Sequence, residues 1–304
     1  MTQLLNALPG ALAQGLIWGV MAIGVYITYK VLDIADLTVD GSICTGAAVC
    51  TMLLLGGQSP WLALLCAVLA GVLAGAVTGL LHLGLGIPPI LAGILTQMVL
   101  WSVNLKLLGK ANQALPARTT PVLLSQMDVG GALPVLLGFC VVLVALLVLF
   151  FGTELGCALR ATGCNPVMSR AQGVNTGLMK VVGLALSNGV VALSGALLCQ
   201  YQGYTDVNMG RGAVVIGLAA VVIGQAVLGR RSGRMAVQLG GVILGAVIYY
   251  IVYQVIIFAG FDTDLLKMFS AVVVAVFLGA PHVKAQLKAH SRSKKGDSGH
   301  AENE

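Results

Sequence analysis

The chain is predicted to be all-α, a polytopic membrane protein of about nine transmembrane helices with an inverted internal repeat. Composition and run length carry the first part of that prediction. Of its 304 residues, 58% are hydrophobic and only 9% charged, with 40 glycines, and the mean hydropathy is +0.95. No soluble domain has that balance. Successive apolar runs approach the roughly 20 residues that a helix needs to cross the hydrocarbon core. The third observation is a pair of related segments, described below, which predicts the repeat.

In chain order the expected spans are 8–29, 41–56, 61–83, 89–108, 133–152, 181–200, 213–228, 235–258 and 266–280. The first has no Lys or Arg before it and so lacks the basic start of a secretory signal peptide; it is read as a retained span. Several spans are short for a full crossing, so tilted, broken or re-entrant segments are expected among them. In the third span Gly71, Gly75 and Gly79 fall on one face, and in the eighth Gly241 and Gly245 do the same. Such small-xxx-small faces let helices approach closely and call for no functional explanation.

Between the fifth and sixth spans lies a polar segment, about 153–180. Within it Asn165 suits the N-cap of a short helix and Pro166 its first position, where the missing N–H costs nothing. Val167 to Gln172 continue the turn, and Gly173 suits the left-handed residue that ends it. A rigid helix built into a loop reads as a docking element; the bland alternative is a solvated connector with an Asn-Pro turn.

Orientation follows from basic residues. Arg160, Arg170 and Lys180 lie after the fifth span, Arg230, Arg231 and Arg234 after the seventh, and Lys284, Lys288, Arg292, Lys294 and Lys295 after the ninth. By parity these loops share one side, the cytoplasmic one, which places the N-terminus outside. Lys110 and Arg118 fall on the outer side and count against this, as Asp262 and Asp264 count for it. The net charge of +6 then reflects topology, and no nucleic-acid binding is indicated. Residues 1–280 form the expected membrane domain, and 281–304 a disordered, basic cytoplasmic tail.

Two segments about 170 residues apart resemble each other: Asp36-Leu-Thr-Val-Asp-Gly-Ser-Ile-Cys-Thr-Gly and Asp206-Val-Asn-Met-Gly-Arg-Gly-Ala-Val-Val-Ile-Gly. Each runs from an Asp through a small polar turn and Gly into a helix of small residues. One begins on the cytoplasmic side and the other on the outer side, the trace of an inverted repeat whose interface forms a transport pathway. Chance likeness among Gly/Ala/Val-rich segments is the competing account. Both Asp residues also sit where a carboxylate caps a helix start.

Several chemistries are excluded. No G-x-x-x-x-G-K-[ST] loop occurs, so the chain is not expected to hydrolyse ATP. His82, His282, His290 and His300 form no ligand cluster, and no catalytic or metal site or bound cofactor is expected. The seven cysteines mostly lie in or beside apolar runs and are read as buried small hydrophobes, without disulfides. Span interiors are nearly free of charge, which weighs against an ion-coupled carrier. They carry neutral polar groups instead: Thr96, Gln97, Asn104, Ser187, Asn188, Gln200, Gln225, Gln238 and Gln254. Interhelical hydrogen bonding is the default reading of each; together they suit a path for a small polar solute.

Three motifs carry a family resemblance. Leu159-Arg160-Ala161-x-Gly163-x-Asn165-Pro166, followed by Ala171 and Gly173-Val174-Asn175, resembles the cytoplasmic coupling segment of ABC-importer permeases of the branched-chain amino-acid/ribose type. Asp36-Leu37-Thr38-Val39 with Gly41-Ser42 looks like that family's early turn, although Asp40 stands where Gly is usual. Asp206-x-Asn208-Met209-Gly210-x-Gly212 looks like its later outward motif. Within the family, the chain resembles uncharacterised members near the tryptophan/tyrosine-type amino-acid permeases.

The resemblance implies a non-catalytic permease subunit in a bacterial cytoplasmic membrane, forming the path for a small polar solute such as an amino acid. It implies a permease homodimer or pseudodimer, two ATPase subunits, and an extracytoplasmic solute-binding protein. Arg160, Gly163, Asn165, Pro166, Arg170 and Gly173 become candidates for coupling to the ATPase. Asp36, Thr38, Gln97, Asn188, Asp206 and Asn208 become candidates for the pathway. An ion-coupled secondary transporter of the inverted-repeat kind is the alternative.

Overall fold

A computed structural model describes residues 2–116, 120, 122–228, 234–258, 272 and 275. Apart from Val272 and Ala275, the expected ninth span lies outside the described residues, as do the tail, Arg118, Arg230, Arg231, Asp262 and Asp264. The helices are α1 (Thr2–Tyr26), α2 (Val39–Leu55), α3 (Pro60–Gly84), α4 (Pro89–Leu108), α5 (Val129–Gly152), α6 (Glu154–Cys164), α7 (Pro166–Ala171), α8 (Thr176–Gln202), α9 (Ala213–Leu228) and α10 (Met235–Phe258). A π turn, Ile27–Val31, ends α1. Among the described residues, six helical stretches are long and apolar enough to cross a membrane, while α2 and α9 are shorter apolar helices. The protein is therefore a helical, multi-pass membrane protein.

Helix ends follow local chemistry. Ser59 caps α3, accepting from Leu62 N at 3.4 Å, with Pro60 in the first turn. Asp128 caps α5 through Gly131 N at 3.0 Å, and Gly109 and Gly203 close α4 and α8 with φ of 72° and 75°. These caps satisfy backbone groups that a helix leaves unpaired at its ends.

Packing is inside-out in residue size. On α3 the glycines 71, 75 and 79 face α8, where an added Cβ would meet the backbone of Asn188, Leu184 and Val181. The opposite face presents Leu65, Leu69, Leu73 and Leu80 outward. Small residues permit backbone approach, and the large ones are left for lipid. The eighth-span glycines behave likewise: Gly245 lies against Ala220 of α9, and Gly224 of α9 against Gly241. Helices α1 and α8 form the centre. Ser187 and Ser194 of α8 donate to the carbonyls of Gly24 and Ile17 at 2.8 and 2.7 Å.

The loops gather at two ends as parity requires. At one end Gly163 of α6 packs on Val31 and Leu32, and Gly177 of α8 on Leu83 of α3. At the other end residues Asn112–Ala114 (β1) and Tyr204–Asp206 (β2) pair antiparallel, Gln113 opposite Thr205. This small sheet departs from the all-α expectation. Its three-residue strands have no apolar alternation to read, and only their apposition makes them strands.

The boundaries shift where caps lie outside the apolar run. Helix α8 begins at Thr176 rather than 181, with the Asn175 side chain accepting from Leu178 N. The segment expected to be a polar loop also holds a second helix, α6, capped by Thr153.

Candidate functional site

Residues 32–38 connect the π turn to α2 and alternate between buried Leu32, Ile34, Asp36 and Thr38 and exposed Asp33 and Ala35. Asp36 is 5% exposed. Its Oδ1 accepts from Thr38 N at 2.9 Å and its Oδ2 from Asn188 Nδ2 at 2.8 Å. Asn188 Oδ1 in turn accepts from Ser42 Oγ at 2.6 Å. Beside it, Thr38, Thr78 and Thr96 form a hydroxyl chain with 2.9 Å steps. The segment approaches α4 because Gly93 has no side chain; a Cβ there would stand 2.9 Å from Leu37 N. A buried polar cluster of this kind holds only when its members satisfy one another.

The second related segment runs antiparallel beside α2. Thr51 and Thr205 share a hydrogen bond of 2.6 Å, and Cys44 Sγ donates to Val207 O at 3.3 Å and accepts from Gly210 N at 3.2 Å. Asp40 then accepts from Gly212 N and Val214 N, each at 3.0 Å. The carboxylate of one short helix thus caps the start of the other, where free N–H groups and the helix dipole favour negative charge. From that meeting point α2 and α9 leave in opposite directions, the arrangement expected of paired broken helices in an inverted repeat.

Beside this junction opens a pocket of about 600 Å³. Asp40 and Arg211 lie at the junction, and Gln97, Trp101 and Asn104 of α4 form the facing wall.

At the loop end, α7 has the geometry its sequence suggests. Asn165 Oδ1 accepts from Val167 N and Met168 N at 3.1 and 3.0 Å, and Pro166 occupies the first turn. Gly173 takes φ +83°. Its N–H donates to Arg170 O at 3.0 Å and that of Val174 to Ser169 O at 3.1 Å. That bond pair is the Schellman closure of a helix. Arg170 Nε donates to Thr176 Oγ1 at 3.0 Å, tying α7 to the start of α8. Arg160 Nη2 donates to Phe151 O at 3.1 Å, tying α6 to α5.

The coupling candidates therefore converge on α6, α7 and their junctions. The pathway candidates separate into three places. Asp36, Thr38 and Asn188 are members of the buried cluster. Gln97 stands in the pocket wall. Asp206 is half-buried and turns its own segment by accepting from Asn208 N at 2.7 Å, while Asn208 is exposed.

Of the neutral polar residues, Thr96, Ser187, Asn188 and Gln200 bond across helices or to a loop, Gln200 Oε1 accepting from Leu123 N at 3.0 Å. Asp40 and Arg211 are pocket residues that the sequence does not reveal, because nothing in it aligns positions 171 residues apart. All seven cysteines are free, and Cys157 and Cys164 on α6 are exposed. They correct the expectation of burial, because α6 lies at the bundle's end rather than within it.

Comparison with known proteins agrees with this architecture. The chain is 37% identical over 287 residues to the tyrosine transport system permease protein of Clostridioides difficile (strain R20291), covering 93% of this chain and 94% of that one. An uncharacterised protein of Rickettsia prowazekii (strain Madrid E) is 33% identical over 279 residues, covering 91% and 98%. The autoinducer 2 import system permease protein of Escherichia coli (strain K12 / DH10B) is 30% identical over 221 residues, covering 69% and 60%. No solved structure matches the chain. Residues 8–280 match the family described as branched-chain amino acid transport system / permease component, and the chain belongs to that family of ABC-importer permease subunits.

Proposed function

We propose that this permease imports an amino acid across a bacterial cytoplasmic membrane, with α7 as the element that takes up the work of a separate ATPase. The observation that carries the coupling role is the surface of α7. Val167 is 78% and Met168 60% exposed, on a helix capped at both ends. Two apolar side chains held outward on a stiff helix suit insertion in a groove of a partner. The solute class rests on the tyrosine permease relative and on the mixed charge and apolar lining of the pocket.

On this reading the α6–α7 end and the tail are cytoplasmic, and two copies enclose the pathway. An extracytoplasmic binding protein delivers solute at the β1–β2 end. ATP binding and hydrolysis belong to the partner subunits, and this chain holds no cofactor. Displacement of α7 passes to α6, whose Gly163 rests on Val31 and Leu32. From there it reaches the Asp36 segment at the start of α2. Rigid elements in direct contact can carry such a displacement into a two-state core.

The test is co-purification with the separately encoded ATPase, followed by solute-stimulated ATPase activity in proteoliposomes. Val167→Asp/Met168→Asp alters only exposed positions, so the permease still folds. Loss of complex formation and stimulation supports the reading, and full retention of both sinks it.

A further inference from the structure

The pocket beside the α2–α9 junction holds a feature that helix packing leaves unexplained. Asn104 is 1% exposed, yet neither its Nδ2 nor its Oδ1 has a hydrogen-bond partner among the described residues. The residue is one of those that line the pocket. A buried amide that donates and accepts nothing is costly and rare in a folded protein. Such a group is retained when something else supplies the partner.

Its surroundings say what. Arg211 brings a guanidinium to the same pocket, and Asp40 a carboxylate. Two of the lone-pair positions of that carboxylate are used by Gly212 N and Val214 N. An ionised carboxylate has about four, which leaves room for an ammonium donor. The guanidinium fork suits a carboxylate. The amide of Asn104 can serve either group. Trp101 and Met98 form an apolar wall, 43% and 66% exposed, on which an aromatic ring can stack. The volume of about 600 Å³ is in the usual range of small-molecule sites, roughly 300–1,000 Å³. Asp40 and Arg211 thus bring opposite charges to one pocket.

The geometry points to a solute site within the permease itself, taking a zwitterionic α-amino acid with a large apolar or aromatic side chain. Arg211 holds its carboxylate, Asp40 its ammonium, and Asn104 bridges the two. The inference rests on the amino-acid reading of the solute and adds the place and the contacts.

The experiment measures radiolabelled L-tyrosine binding to the permease–ATPase complex in nanodiscs without the binding protein. Tyramine, which lacks the carboxylate, and 4-hydroxyphenylpropionate, which lacks the ammonium, are the competitors. Wild type should bind tyrosine saturably and each competitor at least tenfold more weakly. Asn104→Leu and Arg211→Gln should each weaken tyrosine at least tenfold. Trp101→Ala should weaken tyrosine more than alanine. The ligand-free melting temperature of Asn104→Leu should be unchanged or higher, because an unpaired buried amide is removed; a merely structural asparagine would lower it.

Tyrosine binding indifferent to both Asn104→Leu and Arg211→Gln overturns the site, as does an absence of saturable binding to wild type. Uptake by the complete system separates this from the solute reading. Import of ribose with no amino acid defeats the amino-acid assignment. Amino-acid import at wild-type rate in both variants defeats the pocket alone.

Discussion

Asn188, midway along α8, donates from Nδ2 to Oδ2 of Asp36 at 2.8 Å, joining positions 152 residues apart inside the bundle. The same amide accepts from Ser42 Oγ, so one side chain binds the connector before α2 to α2 itself. Asn188→Ala should leave both partners short of a bond. Stripping a partner from a buried polar group costs about 1–3 kcal/mol, and more where it is charged. Thermal unfolding in detergent should show a lowered midpoint, with Asn188→Asp, which sets a carboxyl beside Asp36, lower still.

Asp40 joins the two short helices through Gly212 and Val214. Asp40→Gly removes both bonds. A hydrogen bond to a charged group contributes about 1.5–3 kcal/mol. Asp40→Asn keeps one acceptor oxygen. The order of melting temperatures should be Asp, Asn, Gly from highest to lowest. Equal values for all three would show that the cap contributes nothing.

The α2–α8 crossing depends on absent side chains. A Cβ on Gly46 would meet the Ala192 carbonyl, and one on Gly195 the Ile43 carbonyl. Gly46→Ala should destabilise by about 1–3 kcal/mol, the usual cost of overpacking. Gly138, within α5, has no atom near a built Cβ. Gly138→Ala should instead gain about 0.5–1 kcal/mol, because glycine is a poor interior helix residue. Paired melting curves of the two variants test the difference in sign.

Gly173 ends α7 at φ +83°, a conformation that costs a side-chain-bearing residue about 1–2 kcal/mol. Gly173→Val should leave transmembrane packing intact while loosening the α7 closure. Gly163→Val acts one step further along, since a Cβ there meets the Val31 carbonyl. Both variants should keep the basal ATPase activity of the complex and lose most of its stimulation by solute. Stimulation equal to wild type in both would exclude the α7–α6–Val31 route.

Local chemistry made much of this readable in advance. The caps of α7 needed only Asn165, Pro166 and Gly173, because every bond they make is within nine residues. Helix α6 leaves little trace in the sequence, since its polar, exposed face carries no long apolar run and its role depends on resting against Val31. The small-residue faces of α3 and α10 were legible by spacing, but not which helices they meet. Gln97 stands in the pocket wall. Asn104 could not be told from Gln200, as both are amides within apolar runs, and only their surroundings show one bonded and the other not.

By itself the sequence determined that the chain is a bundle of membrane helices, where the short capped helix lies, and which permease family it resembles. Those properties depend on apolar length and on residues a few positions apart. The tertiary structure alone decided that Asp40 caps α9, that Asp36 is held by Asn188, and that Asn104 faces a pocket shared with Arg211. The reason is physical: hydrogen bonds reach about 3 Å, and only folding brings residues more than a hundred positions apart within that distance.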